Sequence, residues 1–159
     1  KVVRELLMHP MLLPGFNDSG AHLTNMAFYD GNLRSLKLAS KNDNESDVAY
    51  MVKRLTKDAA DVFGVSGGTI YKNDIADLIL IDPHVLQGYD GEQNVRRIFR
   101  EEYQHEQLVN RSDDVVPMVM IGGKVAFENK SFSEDLGQKT YGRLLRSEIS
   151  KNLNQQINA

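Results

Sequence analysis

The sequence predicts a mixed fold in which a helical first part is followed by a β-rich second part. Apolar residues recur at three- and four-residue steps between Val48 and Phe63, as on the buried face of an α-helix. After Gly64 the apolar residues fall in short runs, of which 75–81 and 115–120 are the strongest. Such runs, bounded by glycine and proline, are typical of β-strands. The two parts therefore meet at residue 64.

Before residue 24, the sequence pattern predicts a helix, a short strand and a loop. Residues 1–8 carry an apolar stripe at helical spacing. Pro10 ends that helix, because its ring pushes the preceding residue out of the helical region. The apolar run 11–13 predicts a short buried strand, and the turn-forming and small residues of 16–22 predict a loop.

Further helices are predicted before residue 64. One covers 33–39, and the long apolar stripe that follows predicts another, capped by Ser46 or Asp47. Thr56 interrupts the stripe, which indicates two helices with Thr56 capping the second. Gly64 ends the stripe as a glycine beyond a helix C-terminus does.

The rest of the chain is predicted as β-structure with one helix. The predicted strands cover 70–71, 75–81, 115–120 and 124–127. Pro83 ends the second strand, and Gly122-Gly123 forms a tight hairpin turn between the last two. The charged segment 93–109, with apolar residues along one side, predicts a helix.

Composition excludes several classes of protein. The 159 residues are 41% hydrophobic and 26% charged, which is close to the average of a folded domain. No apolar run approaches the ~18 residues of a membrane span. With 19 basic and 22 acidic side chains the net charge is −3, so no nucleic-acid binding is expected. We expect a cytoplasmic protein without membrane contacts and, because it starts at Lys1 without an initiator Met, a piece of a longer chain.

Several kinds of site are also excluded. The chain has no cysteine, which rules out disulfides, thiolate zinc sites and cysteine nucleophiles. The glycine-rich stretch 65–69 lacks the Lys-Ser/Thr of a phosphate-binding loop and is predicted as a turn. Three arginines of 93–109 share that segment with glutamates, so a solvated surface is expected there. No metal-ligating spacing occurs among the histidines, which are His9, His22, His84 and His105.

Asp18 and His22 are the remaining candidates for chemistry. An apolar run, a Pro-Gly pair and then an aspartate followed by small residues would put a carboxylate at the mouth of a strand. Barrel enzymes carry their catalytic groups at that end of their strands. Taken alone, however, Asn-Asp-Ser-Gly is also ordinary turn chemistry.

Three stretches of the chain carry a resemblance to a known family. The first, 15–22, reads Gly-Phe-Asn-Asp-Ser-Gly-Ala-His, with Asn17 where the family has serine. The others are 52–64 with 68–70 and 75–83, which includes Arg54-Leu55-Thr56, and 118–125 with 141–146. In this order, over about residues 5–146, they resemble the amidohydrolase superfamily in its N-acyl-D-amino-acid deacylase (D-aminoacylase-like) branch.

The resemblance implies a particular fold for the fragment. Residues 1–64 would supply the last strand, the catalytic loop and the closing helices of a metal-dependent (β/α)₈ barrel. Residues 65–146 would form part of the small C-terminal β-sandwich, with an inserted helix at about 93–109, and 147–159 would be a polar tail. A whole barrel needs roughly 250 residues, so the chain can hold only the end of one.

The resemblance also implies a chemistry. The family hydrolyses the C–N bond of N-acyl amino acids and uses zinc or another divalent metal, whose ligands lie upstream, so no metal ligand is expected within this chain. Asp18 matches the aspartate that takes a proton from zinc-bound water, whose pKa the metal lowers to about 7, and later gives it to the departing amine. His22 matches a histidine near the substrate or behind the metal ligands.

Two classes of function stay open at this point. In the first, the chain is a catalytically incomplete part of a hydrolase, and its partners are a small N-acylated amino-acid-like substrate and the missing N-terminal part of the same protein. In the second, it is a non-catalytic assembly module that associates with itself. Either way, a sandwich without its N-terminal strands would expose unpaired edges and apolar surface.

Overall fold

A computed structural model of the chain describes residues 2–15, 24–41 and 44–147. Its α-helices are α1 (Val2–Leu7), α2 (Gly31–Ser40), α3 (Glu45–Leu55), α4 (Lys57–Phe63) and α5 (Pro83–Gly88). Its strands are β1 (Asn25–Met26), β2 (Leu78–Leu80), β3 (Val95–Arg100), β4 (His105–Asn110), β5 (Met118–Ile121), β6 (Lys124–Glu128) and β7 (Ser131–Phe132). Short 3₁₀ helices cover Ala27–Asp30 and Glu101–Tyr103.

The strands form two sheets. Sheet A has the order β1-β4-β3, with β1 parallel and β3 antiparallel to β4. Sheet B has the order β2-β5-β6-β7 and is antiparallel throughout. The register between β5 and β6 shifts at Val119/Met120, where the ladder is irregular.

The hydrophobic core lies between the helices and the segments that flank sheet A. Met51 of α3 is its most deeply buried large side chain, and it packs with residues of α2, α5 and the segment before β5. The buried members of this cluster are Leu33, Leu36, Ala39, Met51, Leu86, Tyr89 and Val115. The core therefore joins the helical first part of the chain to segments that follow residue 64.

The helices of the first part largely confirm the sequence prediction. A helix covers 2–7 and ends before Pro10, α2 contains the predicted 33–39, and the long stripe divides at Thr56. Gly64 ends α4 in the left-handed conformation, with φ of 62°. The predicted cap was wrong, because Asn44 caps α3 by accepting a hydrogen bond from the Ser46 amide at 3.1 Å.

The predicted fold class is wrong in its central element. Residues 11–13, expected to be the last strand of a (β/α)₈ barrel, form no strand, and Met11 is 84% exposed. The first strand of the described residues is instead the two-residue β1, which pairs with β4. The described residues form a small mixed α/β structure with two sheets, rather than the end of a barrel followed by a sandwich segment.

The predicted helix over 93–109 is also wrong, because this segment forms the β3–β4 hairpin. Gln107 and Val109 are buried while the residue between them is half-buried, which is the alternation of a strand. The turn is closed by Gln104, which adopts a left-handed conformation with φ of 49°. The apolar spacing fitted a helix, but cross-strand pairing decided the structure.

The remaining β predictions are confirmed in part. The hairpin around Gly122-Gly123 is present as β5 and β6, whereas the predicted strand 75–81 is reduced to Leu78–Leu80. No strand forms at 70–71, where both side chains are strongly exposed. Pro83 starts α5, because Asp82 caps that helix by accepting hydrogen bonds from the amides of the two residues after the proline.

Candidate functional site

Asp18 and His22 lie outside the described residues, but the structure describes the chain on both sides of them. Before them, Gly15 has φ of +108°, and a Cβ there would lie 3.4 Å from Asn32 Oδ1 of α2 and 3.6 Å from Leu55 Cδ2 of α3. After them, the Thr24 carbonyl accepts a hydrogen bond from the Leu108 amide of β4 at 2.8 Å. Of the residues that flank 16–23, Gly15 therefore lies next to the helices and Thr24 is bonded to sheet A.

A buried polar cluster lies just beyond β1. It centres on Asp30, whose Oδ2 accepts hydrogen bonds from Tyr89 Oη at 2.9 Å and from Arg34 Nε at 2.7 Å. Tyr89 Oη also lies 3.1 Å from Asn110 Oδ1 of β4, which accepts from Asn94 Nδ2 at 2.6 Å. The cluster ties α2, the segment after α5 and sheet A together, and buried polar groups satisfied in this way hold a single arrangement.

The environment of the cluster sets the protonation of Tyr89. Burial, and next the hydrogen bond and charge of Asp30, raise the pKa of Tyr89 to about 12. The hydrogen bond with Asp30 likewise raises the pKa of Arg34. At neutral pH the Tyr89 hydroxyl thus keeps its proton and acts as a hydrogen-bond donor, and Arg34 stays a cation.

Gly91 allows the loop after α5 to approach the Asp30 carboxylate closely. A Cβ on Gly91 would overlap Asp30 Oδ2 and would lie 2.7 Å from Arg34 Nη2. Its carbonyl accepts a hydrogen bond from Asn110 Nδ2 at 3.0 Å. The absence of a side chain at Gly91 therefore lets the loop after α5 lie directly against the carboxylate.

This cluster was not predicted, although the sequence contains a repeated tripeptide at both of its segments. Tyr-Asp-Gly occurs twice, at 29–31 and at 89–91. The structure brings Asp30 of the first tripeptide against Tyr89 and Gly91 of the second. A repeated tripeptide of turn-forming residues would have marked both segments, but not the contact between them.

A polar cleft of about 520 Å³ opens beside the cluster. Residues 111–115 line one side of it, and His84, Arg96 and other residues of the α5–β3 region line the other. Its charged groups are already engaged: Arg111 makes a two-pronged pair with Asp113, at 3.1 and 3.2 Å, and Arg96 Nη1 donates to two backbone carbonyls. The cleft therefore offers polar contacts, and both of its arginines already have partners.

The described histidines and carboxylates do not fit a zinc site. Within the described ranges, no three histidine, aspartate or glutamate side chains lie close enough to hold a metal ion. His9 Nδ1 accepts from the Met11 amide at 3.2 Å, and His105 Nε2 lies 3.3 Å from Thr24 Oγ1. His84 is at the start of α5, so the described histidines are spread over different parts of the fold.

An apolar groove of about 470 Å³ runs between α3, α4, the loop after Gly64 and β2. We define the apolar groove by the side chains of Val52, Phe63, Ile70, Ile79 and Leu145. These side chains are well exposed: Phe63 by 65% and Ile70 by 83%. The helical stripe predicted that Val52 and Phe63 would face the core, and this prediction is wrong, because both open onto the groove.

Comparison with known proteins finds relatives but no family. Curated proteins of Mycobacterium tuberculosis and Mycobacterium bovis, all described as uncharacterized, are each 34% identical to the chain over 155 residues. The match covers 91% of this chain and 24% of each relative, so the chain spans about a quarter of the length of the curated relatives it matches. No family model and no solved structure matches the chain. Within the described ranges, no helix is both long and apolar enough to cross a bilayer.

Proposed function

We propose that this chain is part of a larger hydrolase that cleaves the amide bond of N-acyl amino acids, and that Asp18 carries the proton in this reaction. Water adds to the amide carbonyl, the C–N bond breaks, and the products are a carboxylic acid and a free amino acid. The Asp18 carboxylate accepts a proton from the attacking water and delivers it to the departing nitrogen. A carboxylate can do both, because it is a base when ionised and an acid once protonated.

The observation that carries this proposal is the placement of the two described residues that flank 16–23. Gly15 lies against α2 and α3, and the Thr24 carbonyl is bonded to β4. A catalytic group must be held in a productive geometry, and loops between rigid elements commonly carry such groups. Flanking residues held on two different elements suit a carboxylate between them that has to meet a substrate at one defined place.

The greater length of the relatives also supports the proposal. About three quarters of each relative lies outside the match, which leaves room for the rest of an active site. In this proposal the metal ligands belong to the remainder of the larger protein, as the family resemblance implies, and this chain supplies the proton carrier and its support.

We further propose that the upstream part of the same polypeptide covers the apolar groove. Exposed apolar surface of this kind marks an interface in a protein that is stable in water. The length of chain outside the match makes the rest of the polypeptide the natural occupant. An assembly role, in which a second copy of the chain fills the groove, is the competing function.

The test of the proposed reaction is the substitution Asp18→Asn in the longer protein. Amine release is measured with zinc present from a panel of N-acetyl-D- and N-acetyl-L-amino acids. We expect turnover to fall about 100- to 10,000-fold, the usual contribution of a positioned acid–base group, while the zinc content stays constant. Asp114→Asn is the matched control, because the Asp114 side chain is 67% exposed and is paired with Lys130 on the surface.

Two results would contradict the proposal at different levels. Wild-type turnover in Asp18→Asn would remove Asp18 from the reaction. A zinc-loaded wild-type protein that releases no amine from any member of the panel would show that the class of reaction is wrong.

A further inference from the structure

A further apolar pocket lies against sheet B, and no described residue lines both this pocket and the apolar groove. Its volume is about 310 Å³, at the lower end of the ~300–1,000 Å³ of pockets that hold small ligands. Val119 pairs with Phe127, and Phe127 pairs with Phe132, so these three side chains share one face of the sheet. We call it the sheet B pocket, and its other apolar lining residues are Val116, Ile121, Ala126 and Leu136.

Arg111 brings a positive charge to the sheet B pocket. It follows β4 directly and lines the pocket. Its guanidinium lies 5.2 Å from the centre of the Phe132 ring and 5.9 Å from that of Phe127, both within the range of a cation–π contact. The two rings pack edge to face with their centres 5.3 Å apart. The aromatic pair therefore holds the guanidinium beside an apolar surface.

Asp113, which also lines the pocket, is the acidic partner of Arg111. The two side chains form a two-pronged pair at 3.1 and 3.2 Å, yet the Arg111 side chain stays 41% exposed. An ion pair that is open to water in this way contributes little to stability. A carboxylate from outside the chain can therefore replace Asp113 at the guanidinium at little cost, because the pocket takes the apolar part of the same ligand out of water.

We propose that the sheet B pocket binds a medium-chain alkyl carboxylate. The carboxylate pairs with the Arg111 guanidinium, whose fork matches its two oxygens. The alkyl chain lies against the face that carries Val119, Phe127 and Phe132, where each methylene removed from water favours binding. The inference does not rest on the proposed function, since binding of the carboxylate requires neither Asp18 nor turnover.

Isothermal titration calorimetry on the longer protein tests the ligand class, with octanoate, hexanoate and butanoate as probes. We expect the dissociation constant to rise about three- to fourfold for each methylene that the probe loses, the equivalent of about 0.8 kcal/mol. 1-Octanol and octylammonium keep the alkyl chain without the negative charge. Both should bind about tenfold more weakly than octanoate, or weaker still, because they cannot accept the charge-assisted hydrogen bonds of Arg111.

Substitutions around the guanidinium test where octanoate binds. Arg111→Gln should weaken binding about 10- to 100-fold, the value of a hydrogen bond between charged groups, and Arg111→Lys, which keeps the charge but loses the fork, should weaken it less. Asp113→Asn should strengthen binding about two- to fivefold, because the ligand no longer competes with a surface ion pair. Arg96→Gln is the matched control and should bind as the wild type does, since Arg96 is an exposed cation that lines the neighbouring polar cleft and not this pocket.

Three results would overturn the inference. Equal affinity for octanoate and 1-octanol would mean that the negative charge is not recognised. Unchanged octanoate binding in Arg111→Gln would place the ligand elsewhere in the protein. A wild-type protein that binds no octanoate would mean that the pocket is closed to such ligands in the longer chain.

The opposite signs of the two substitutions protect the test against unfolding. A variant that fails to fold can only lose binding, so the gain expected for Asp113→Asn cannot arise in that way, and its absence counts against the competition with Asp113. Turnover of Asp18→Asn tests the proposed function separately, since none of these binding experiments measures amine release.

Discussion

At the scale of single residues, Tyr89 shows how the chain buries polar groups. Its ring belongs to the hydrophobic core, while its hydroxyl donates to Asp30 at 2.9 Å. The same carboxylate accepts from Arg34 at 2.7 Å. Asp30 is therefore kept inside the molecule by one neutral and one charged donor, which arrive from two segments far apart in sequence.

We predict that Tyr89→Phe lowers the free energy of unfolding by about 1.5–3 kcal/mol, the value of a hydrogen bond to a charged group, because Asp30 Oδ2 would lose the Tyr89 donor and keep that of Arg34. Urea unfolding measures this change. Tyr71→Phe is the control and should be neutral, because Tyr71 is 77% exposed. Equal stability of the two variants would mean that the Tyr89 hydroxyl adds nothing to the fold.

Tyr89 also makes the stability of the protein depend on pH in the alkaline range. Its pKa is raised to about 12 in the folded protein, above the ordinary value of about 10, so the folded state holds this proton more tightly than the unfolded chain. Its contribution to stability is complete below about pH 10 and is lost as the pH rises through about 12. We expect Tyr89 to ionise late in a titration followed by ultraviolet absorbance, and Tyr89→Phe to abolish that step.

At the scale of elements, the Gly122-Gly123 turn explains why one hairpin could be predicted. Both residues have positive φ, 56° and 79°, as a two-residue hairpin turn requires. The turn is also bound from outside, since the Gly122 amide donates to Asp77 Oδ1 at 2.6 Å and the Gly123 amide donates to the Ala76 carbonyl at 2.9 Å. Local turn chemistry and tertiary contacts agree here.

Gly122→Ala should therefore destabilise the protein. A Cβ on Gly122 would lie 2.6 Å from the Tyr141 carbonyl oxygen, and a left-handed backbone adds about 1–2 kcal/mol for a residue with a side chain. Gly88→Ala is the matched control, because the Cβ that it would gain meets no described atom within 4 Å beyond its chain neighbours and the backbone of its own helix. Thermal unfolding compares the two, and a control that loses as much stability as Gly122→Ala would refute this account of the turn.

The hairpin of β3 and β4 could not be predicted in the same way. Its turn, Glu101–Tyr103, contains neither glycine nor proline, and its apolar residues fit a helix as well as a strand. Strand pairing determines that this segment forms a hairpin, because β4 is the central strand of sheet A, between β1 and β3. Where the local sequence fits a helix as well as a strand, tertiary contacts determine which of the two forms.

At the scale of the whole molecule, the sequence allowed the helices and the glycine hairpin to be predicted but not the architecture. The barrel expectation, which the family resemblance implied, required a strand at residues 11–13, which are apolar and yet exposed. The apolar character of a side chain indicates that it prefers to be buried. It does not identify the surface against which the side chain packs. The same limit explains Val52 and Phe63, which were assigned to the core and line the apolar groove.

The sequence predicted which residues of the candidate site could carry chemistry, but not how the residues that flank them are placed. The type and order of residues in 15–22 marked Asp18, but nothing local to that motif indicated the attachments of its flanks. Those depend on Leu55 and Leu108, which lie in α3 and β4. Long-range contacts of this kind leave no periodic trace in a sequence.

The apolar groove supplies a prediction at this scale. Ile70→Asp in the longer protein should lower stability by about 1.5–3 kcal/mol, the value of burying one large aliphatic side chain, and should leave the stability of the 159-residue chain unchanged. Tyr103→Asp is the control, because Tyr103 is similarly exposed but lies outside the groove. Thermal unfolding of both proteins measures the difference.

Two outcomes would contradict the proposed occupant of the groove. If the 159-residue chain forms a dimer in sedimentation experiments that Ile70→Asp dissociates, a second copy covers the groove. If Ile70→Asp is neutral in the longer protein too, the groove is open to water.

The parallel pairing of β1 with β4 has a consequence for biosynthesis. Asn25 and Met26 pair with Leu108 and Val109, about 80 residues later in the chain. At about 5–20 residues per second, the ribosome needs roughly 4 to 16 s to produce the partner of β1 after β1 itself. Throughout that interval β1 lacks its partner strand, so sheet A can be completed only after the ribosome has made β4.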